Sequence, residues 1–311
     1  MKHWIQAARL RTLPLSVSGI IVGSVYAMSQ SLFNWKIVIF AFTTTLGFQV
    51  LSNFANDYGD GIKGTDNEDR IGPKRTIQSG AISPKAMKNA IILTSILTLF
   101  SAILLIYLSF KGKYFIYSMI FLILGILAIA SAIRYTIGTG AYGYRGLGDV
   151  FVFVFFGWVS TIGIYFMFAK TIDWLLFLPA TAIGFLSVGV LNLNNMRDEA
   201  SDRKSNKNTI VVKIGTANAK KYHYFLIVSA MVLVFIFAVL SDYRLDQYLF
   251  LLAYISLTKH LIRVYKNQEA NALDPELKKL ALSTFALSIL LSVCMVSLIQ
   301  DVIVNVFLGG R

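Results

Sequence analysis

Nine stretches of mostly apolar residues, each near bilayer length, alternate with shorter segments that hold most of the charge. They lie near residues 13–29, 37–55, 89–109, 114–133, 150–168, 174–192, 223–241, 247–264 and 281–299. About 20 apolar residues in a helix cross the hydrocarbon core of a membrane. The pattern therefore predicts an all-α polytopic membrane protein of nine transmembrane helices, a single domain over 1–311. The stretch at 247–264 is the weakest, because Lys259, His260 and Arg263 crowd its end. Residues 2–11, KHWIQAARLR, read as a short basic amphipathic helix on the membrane surface rather than as a cleaved leader.

Composition agrees with lipid as the main solvent. Of 311 residues 56% are hydrophobic and only 14% charged, against roughly 25% charged in ordinary globular domains. A soluble enzyme, a disordered chain and a secreted disulfide scaffold are excluded on that ground. The lone cysteine, Cys294, has no partner for an intramolecular disulfide, and His3, His223 and His260 show no zinc-ligand spacing. The net charge of +13 follows from topology, so nucleic acid is not an expected partner. With nine crossings, 23 of the 29 Lys and Arg residues fall on one side. The positive-inside rule makes that side cytoplasmic, with the N-terminus inside and the C-terminus external.

Half of the 16 acidic residues sit in two short windows at the ends of the second and sixth apolar stretches. Asp57, Asp60, Asp66, Glu68 and Asp69 form one; Asp198, Glu199 and Asp202 form the other. Acids contribute little to orientation, so topology does not explain the clustering. Asn56 and Asp60 recur as Asn194 and Asp198, offset by 138 residues, and each window is followed by a basic stretch ending in Thr-Ile. The chain reads as two related halves. Residues four apart share a helix face, so Asn56 with Asp60, and Asn194 with Asp198 and Asp202, each project oxygens to one side. Facing one another, they make an all-oxygen site suited to Mg²⁺. Lys74, Arg75, Arg197 and Lys207 stand ready for the anionic oxygens of a diphosphate. Solvated loops also carry charge runs, but two clusters with matched spacing at hydrophobic helix ends argue for a site.

The segments NFANDYGDGIKGTDNEDRIGPKR (53–75) and LNNMRDEASDRKSNKNT (193–209) resemble the two signature regions of the membrane-embedded aromatic prenyltransferases, the UbiA superfamily. Residues 4–24 and 142–158 fit its naphthoate branch, and the resemblance runs from about residue 4 to residue 215. It implies nine helices around a central cavity in a bacterial cell membrane, with a cytoplasmic active site. Its implied chemistry is Mg²⁺-dependent transfer of a polyprenyl group from polyprenyl diphosphate to 1,4-dihydroxy-2-naphthoate, with the ring carboxylate leaving as CO₂. In the usual first motif a third acid stands where this chain has Gly64, which leaves Asp66 or Asp69 as the substitute ligand. Asp60 and Asp198 are the expected catalytic acids. In the middle loop, Arg134 and Arg145 are candidates for the acceptor carboxylate, and Asp149 for holding a ring hydroxyl or taking a proton. Another aromatic acid such as 4-hydroxybenzoate is the alternative acceptor. An ion-coupled transporter is the alternative class, although coupling acids belong near mid-membrane rather than beside basic residues at helix ends.

Overall fold

The computed structural model describes residues 1–66 and 71–307, with side chains described up to residue 296 except that of Arg11. Asp69, one of the two candidates for the third ligand, lies outside the described residues, as does Glu68. The described residues form helices and turns, with no strand among them. In order they are α1 (Lys2–Ala8), α2 (Leu13–Ser29), α3 (Trp35–Lys63), α4 (Pro84–Phe110), α5 (Phe115–Arg134) and α6 (Gly148–Val152). A π-helical stretch, Phe153–Gly163, then leads into α7 (Ile164–Ala169), α8 (Phe177–Lys204), α9 (Ile210–Leu240), α10 (Leu251–Lys266) and α11 (Asp274–Phe307). Polar residues between the apolar stretches start the helices. Ser83 caps α4 ahead of Pro84, and Thr209 caps α9 by accepting from the Val212 N–H. α3 stops at Gly64, whose φ of 69° suits a residue without Cβ.

Among the described residues, seven helical segments are long and apolar enough to span a membrane, or eight if the bent pair α1 and α2 counts as one span. The expected nine is not reached on length and composition. The shortfall lies in α10, whose 16 residues extend only about 24 Å at 1.5 Å per residue, short of a core of about 30 Å. Elsewhere the apolar faces look outward. α5 buries none of its residues, and Phe115 and Ile116 at its start are more than 70% exposed, as a lipid-facing helix requires.

The buried core centres on α8, which packs against α9, α11 and the π-helical stretch, while α3 packs along α4. Contact there is close enough to require glycine. A Cβ on Gly157 would lie 2.7 Å from the Ala180 carbonyl oxygen, and one on Gly23 would lie 2.3 Å from that of Thr161. α2 and α8 thus hold the π-helical stretch between them. Buried polar groups tie the C-terminal helices together: His223 meets His260 at 2.9 Å, and His260 meets Glu276 at 2.7 Å. The 138-residue offset appears in space as two long helices, α3 and α8, each ending in an acidic cluster.

Candidate functional site

Between the two halves lies a cavity of about 680 Å³. One end is polar, lined by Asn56, Asp60, Lys74, Arg75, Asn194 and Lys207. The remainder is apolar, walled by residues such as Leu105, Phe121, Leu124, Phe156, Val159 and Met167 from α4, α5, the π-helical stretch and α7. Such a chamber accommodates a hydrocarbon tail with a strongly anionic head.

The last turns of α3 present Asn56 and Asp60 to the polar end. Asp60 accepts a hydrogen bond from the Tyr144 hydroxyl at 2.8 Å, and its second oxygen lies 3.7 Å from the Lys207 ammonium. The same ammonium is 3.5 Å from Asp202. Lys207 therefore joins an acid of the first cluster to one of the second. Burial works against its charge, but the attraction of Asp60 and then Asp202 outweighs it and raises the Lys207 pKa above the usual lysine range. Burial, followed by the nearby Asp60 carboxylate, likewise raises the Tyr144 phenol. Tyr135, at the end of α5, is pushed up to about 12 by burial.

Two oxygens are buried without a hydrogen-bond partner among the described residues: Asn56 Oδ1 in the cavity lining, and Asp202 Oδ2, whose residue meets the lining residue Lys207 but does not itself line the cavity. Leaving them so costs about 1–3 kcal/mol each. Uncharged acceptor oxygens and carboxylates converging from two helices suit a hard divalent cation, so the residues present fit Mg²⁺.

The other expected residues are placed differently. Asp198 is turned onto Arg197, which donates to its two oxygens at 2.8 and 2.7 Å. Arg197, expected at the diphosphate, has a fully buried side chain away from the cavity lining, reaching also Asp274 at 2.5 Å and Asn194 at 2.9 Å. It fastens α8 to the start of α11. Asp66 folds back at the end of α3 and lies 3.7 Å from Arg75. Asp149, buried at the start of α6, accepts from the Tyr222 hydroxyl at 3.2 Å just outside the cavity lining. Arg134 and Arg145, the candidates for the acceptor carboxylate, are exposed and do not line the cavity. Their positions at the end of α5 and in a surface turn direct them to water.

Four residues to which the sequence assigns no role in the site are brought to it by the structure. Arg9 and Lys278 supply cationic lining from α1's end and from α11. Tyr144 reaches Asp60, although its position equally suits an anchor at the membrane interface. Asp57 accepts from the Thr76 N–H at 3.1 Å, the Thr76 hydroxyl at 2.6 Å and the Ile77 N–H at 3.2 Å. That carboxylate holds the segment that carries Lys74 and Arg75 over the cavity. The Thr-Ile that follows the first acidic window is thus the anchor of this loop, a role its spacing does not reveal.

Fold and site together define a helical membrane protein whose chamber pairs an acidic and basic mouth with an apolar interior. A sequence model described as the UbiA prenyltransferase family matches residues 16–288. The chain belongs to that family. It is 43% identical over 282 residues to 1,4-dihydroxy-2-naphthoate octaprenyltransferase of Escherichia coli (strain K12), covering 89% of each chain. To the Haemophilus influenzae protein of the same name it is 42% identical over 294 residues, covering 94% of this chain and 95% of the other. Among solved structures, an Aeropyrum pernix K1 UbiA homolog superposes with a TM-score of 0.63 at 18% identity, covering 93% of this chain and 98% of that one. An Archaeoglobus fulgidus UbiA homolog bound to DMAPP and Mg²⁺ gives 0.62 at 13% identity, covering 94% and 99%.

Proposed function

We propose that this protein transfers a polyprenyl group from its diphosphate to 1,4-dihydroxy-2-naphthoate, releasing diphosphate and CO₂ and giving demethylmenaquinol for menaquinone synthesis. The observation that carries the reading is the convergence of Asp60 and Asp202 on Lys207 at the mouth of an apolar chamber, in a chain 42–43% identical to naphthoate octaprenyltransferases.

Asn56, Asp60, Asn194 and Asp202 would hold Mg²⁺, which when bound neutralises negative charge on the donor diphosphate. Lys74, Arg75 and Lys207 bind the diphosphate oxygens and stabilise the charge that grows there as the allylic C–O bond breaks. The walls from Leu105 to Met167 hold the tail and keep water from the allylic cation until the naphthoate ring attacks it. Two anions bound side by side repel, so the acceptor carboxylate needs its own cation. Arg9 and Lys278 take that part in place of Arg134 and Arg145, since they line the chamber. Asp149, beside the lining residues Phe151 and Val152, would hold a ring hydroxyl. The active site faces the cytoplasm, the side to which nine crossings would assign 23 of the 29 basic residues, and the membrane is the cell membrane.

The test is a membrane assay with Mg²⁺, octaprenyl diphosphate and dihydroxynaphthoate, with the product identified by mass. Demethylmenaquinol should form. Chelation, Asp60→Ala and Asp202→Ala should each lower turnover by at least 10²-fold, the scale on which removal of a preorganised electrostatic group acts. Prenylation of 4-hydroxybenzoate with none of dihydroxynaphthoate would overturn the acceptor. No prenylation of either would overturn the enzyme reading in favour of transport.

A further inference from the structure

The acidic end of the chamber contains a cation that the chain itself supplies. Lys207 Nζ lies 3.7 Å from Asp60 Oδ2 and 3.5 Å from Asp202 Oδ1, so one nitrogen touches a carboxylate from each half. Its side chain is only 10% exposed, and its ammonium is 5.6 Å from the centre of the Tyr144 ring. The backbone fixes where this side chain starts. The Lys207 N–H donates to the Asp202 carbonyl at 2.8 Å, Asn206 turns the chain with a φ of 54°, and Thr209 begins α9 two residues on. Movement of the charge is therefore left to the four-methylene stem, which is flexible. The oxygens that Lys207 engages belong to the carboxylates best placed for a divalent cation, and the other Asp202 oxygen is buried without a hydrogen-bond partner among the described residues. Two cations cannot share those oxygens without strong repulsion in a poorly solvated site.

We propose that Lys207 is a built-in competitor of the divalent metal: its ammonium clamps Asp60 to Asp202, and metal binding displaces it toward the donor's diphosphate. This rests on the reading of the site as a metal–diphosphate centre. One ammonium then serves two purposes, and metal and donor become coupled. Metal arriving alone must evict Lys207 with no new anion to receive it. Metal arriving with a diphosphate supplies oxygens for the displaced charge, so each ligand tightens the other by the same factor. A lysine that only bound diphosphate would leave metal affinity in the absence of diphosphate untouched.

The experiment uses the full-length protein in lipid nanodiscs with Mn²⁺ as the probe, its free concentration read by electron paramagnetic resonance, and no diphosphate present. Lys207→Met should bind Mn²⁺ at least tenfold more tightly than the unaltered protein. Lys207→Arg keeps the charge and can grip both carboxylates at once, so it should bind Mn²⁺ more weakly. Because Lys207→Met leaves two carboxylates unpaired and can reduce the folded yield, Lys207→Arg provides a separate test. Unchanged or weaker Mn²⁺ binding by a folded Lys207→Met protein, or unchanged or tighter binding by Lys207→Arg, would overturn the competition. Failure of both the unaltered protein and a folded Lys207→Met protein to bind Mn²⁺ at millimolar concentration would instead overturn the metal site itself, and the competition with it.

Discussion

Asp198 and Asp202 lie one turn apart on α8, yet they meet opposite surroundings. Asp198 spends both oxygens on Arg197, whereas Asp202 shares Lys207 with Asp60. Spacing alone treats the two acids as equals; the difference arises from Asp274 on α11, which helps hold the guanidinium in place. Arg197→Met should therefore act mainly on stability, since it strands the Asp198 charge in a buried position at a cost of about 3–5 kcal/mol. Thermal unfolding in detergent measures it, and Lys74→Met, altering a cavity-lining cation, should leave the melting temperature within a degree or two. The acceptor cation is open to a kinetic test. Arg9→Gln or Lys278→Met should weaken dihydroxynaphthoate more than donor by about 1.5–3 kcal/mol, a charge-assisted contact read from kcat/KM for each substrate. Equal weakening of both substrates would move the altered cation to the diphosphate.

At the scale of an element, the loop after α3 depends on a single carboxylate. Asp57 receives three hydrogen bonds from Thr76 and Ile77, and the lining residues Lys74 and Arg75 precede them directly. Asp57→Ala should cost about 2–4 kcal/mol of stability and raise the donor KM together with it, whereas Asp57→Asn, which keeps two acceptor lone pairs, should recover part of both. The loop between α7 and α8 carries a different consequence. Lys170 ends α7 with a φ of 63° and donates to the carbonyls of Met167 and Phe168. Burial, with a smaller push from Lys111, lowers its pKa to about 8. The unfolded chain then binds the extra proton between about pH 8 and the ordinary lysine value, so this group makes stability rise with pH across that window. Melting curves of the unaltered protein and Lys170→Met, compared at pH 7.5 and 10, should show the gain only in the former; parallel curves would discount the shift.

For the whole molecule, α10 decides how many helices cross. A cytoplasmic reporter signal is expected after residue 75 and after residue 205, with an external signal at the C-terminus. The outcome at the C-terminus tests α10, the 16-residue helix with Lys259, Arg263 and Lys266 along its second half. A cytoplasmic C-terminus would show that α10 does not cross, while the placement of the chamber mouth would stand, because both of its acidic helix ends precede α10 in the chain.

The sequence by itself determined that the protein is helical and membrane-embedded, because hydrophobic runs of bilayer length leave no other way to satisfy backbone hydrogen bonds in lipid. It also shows acids and bases gathered at two helix ends. Acids cluster at two helix ends with matched spacing, and periodicity places Asn56 with Asp60 and Asn194 with Asp198 on common faces without knowledge of the fold. Tertiary structure alone decided which of those groups meet. Lys207 is 147 residues from Asp60, Arg197 is 77 from Asp274, and Arg9 and Lys278 come from opposite ends of the chain. Such pairings depend on how α2, α3, α8 and α11 pack, and helix periodicity reports the face a residue occupies but not what that face will touch. Arg134 and Arg145 show the same limit from the other side: their charge suits an anionic substrate, and the packing of α5 and the middle turn leaves them in water.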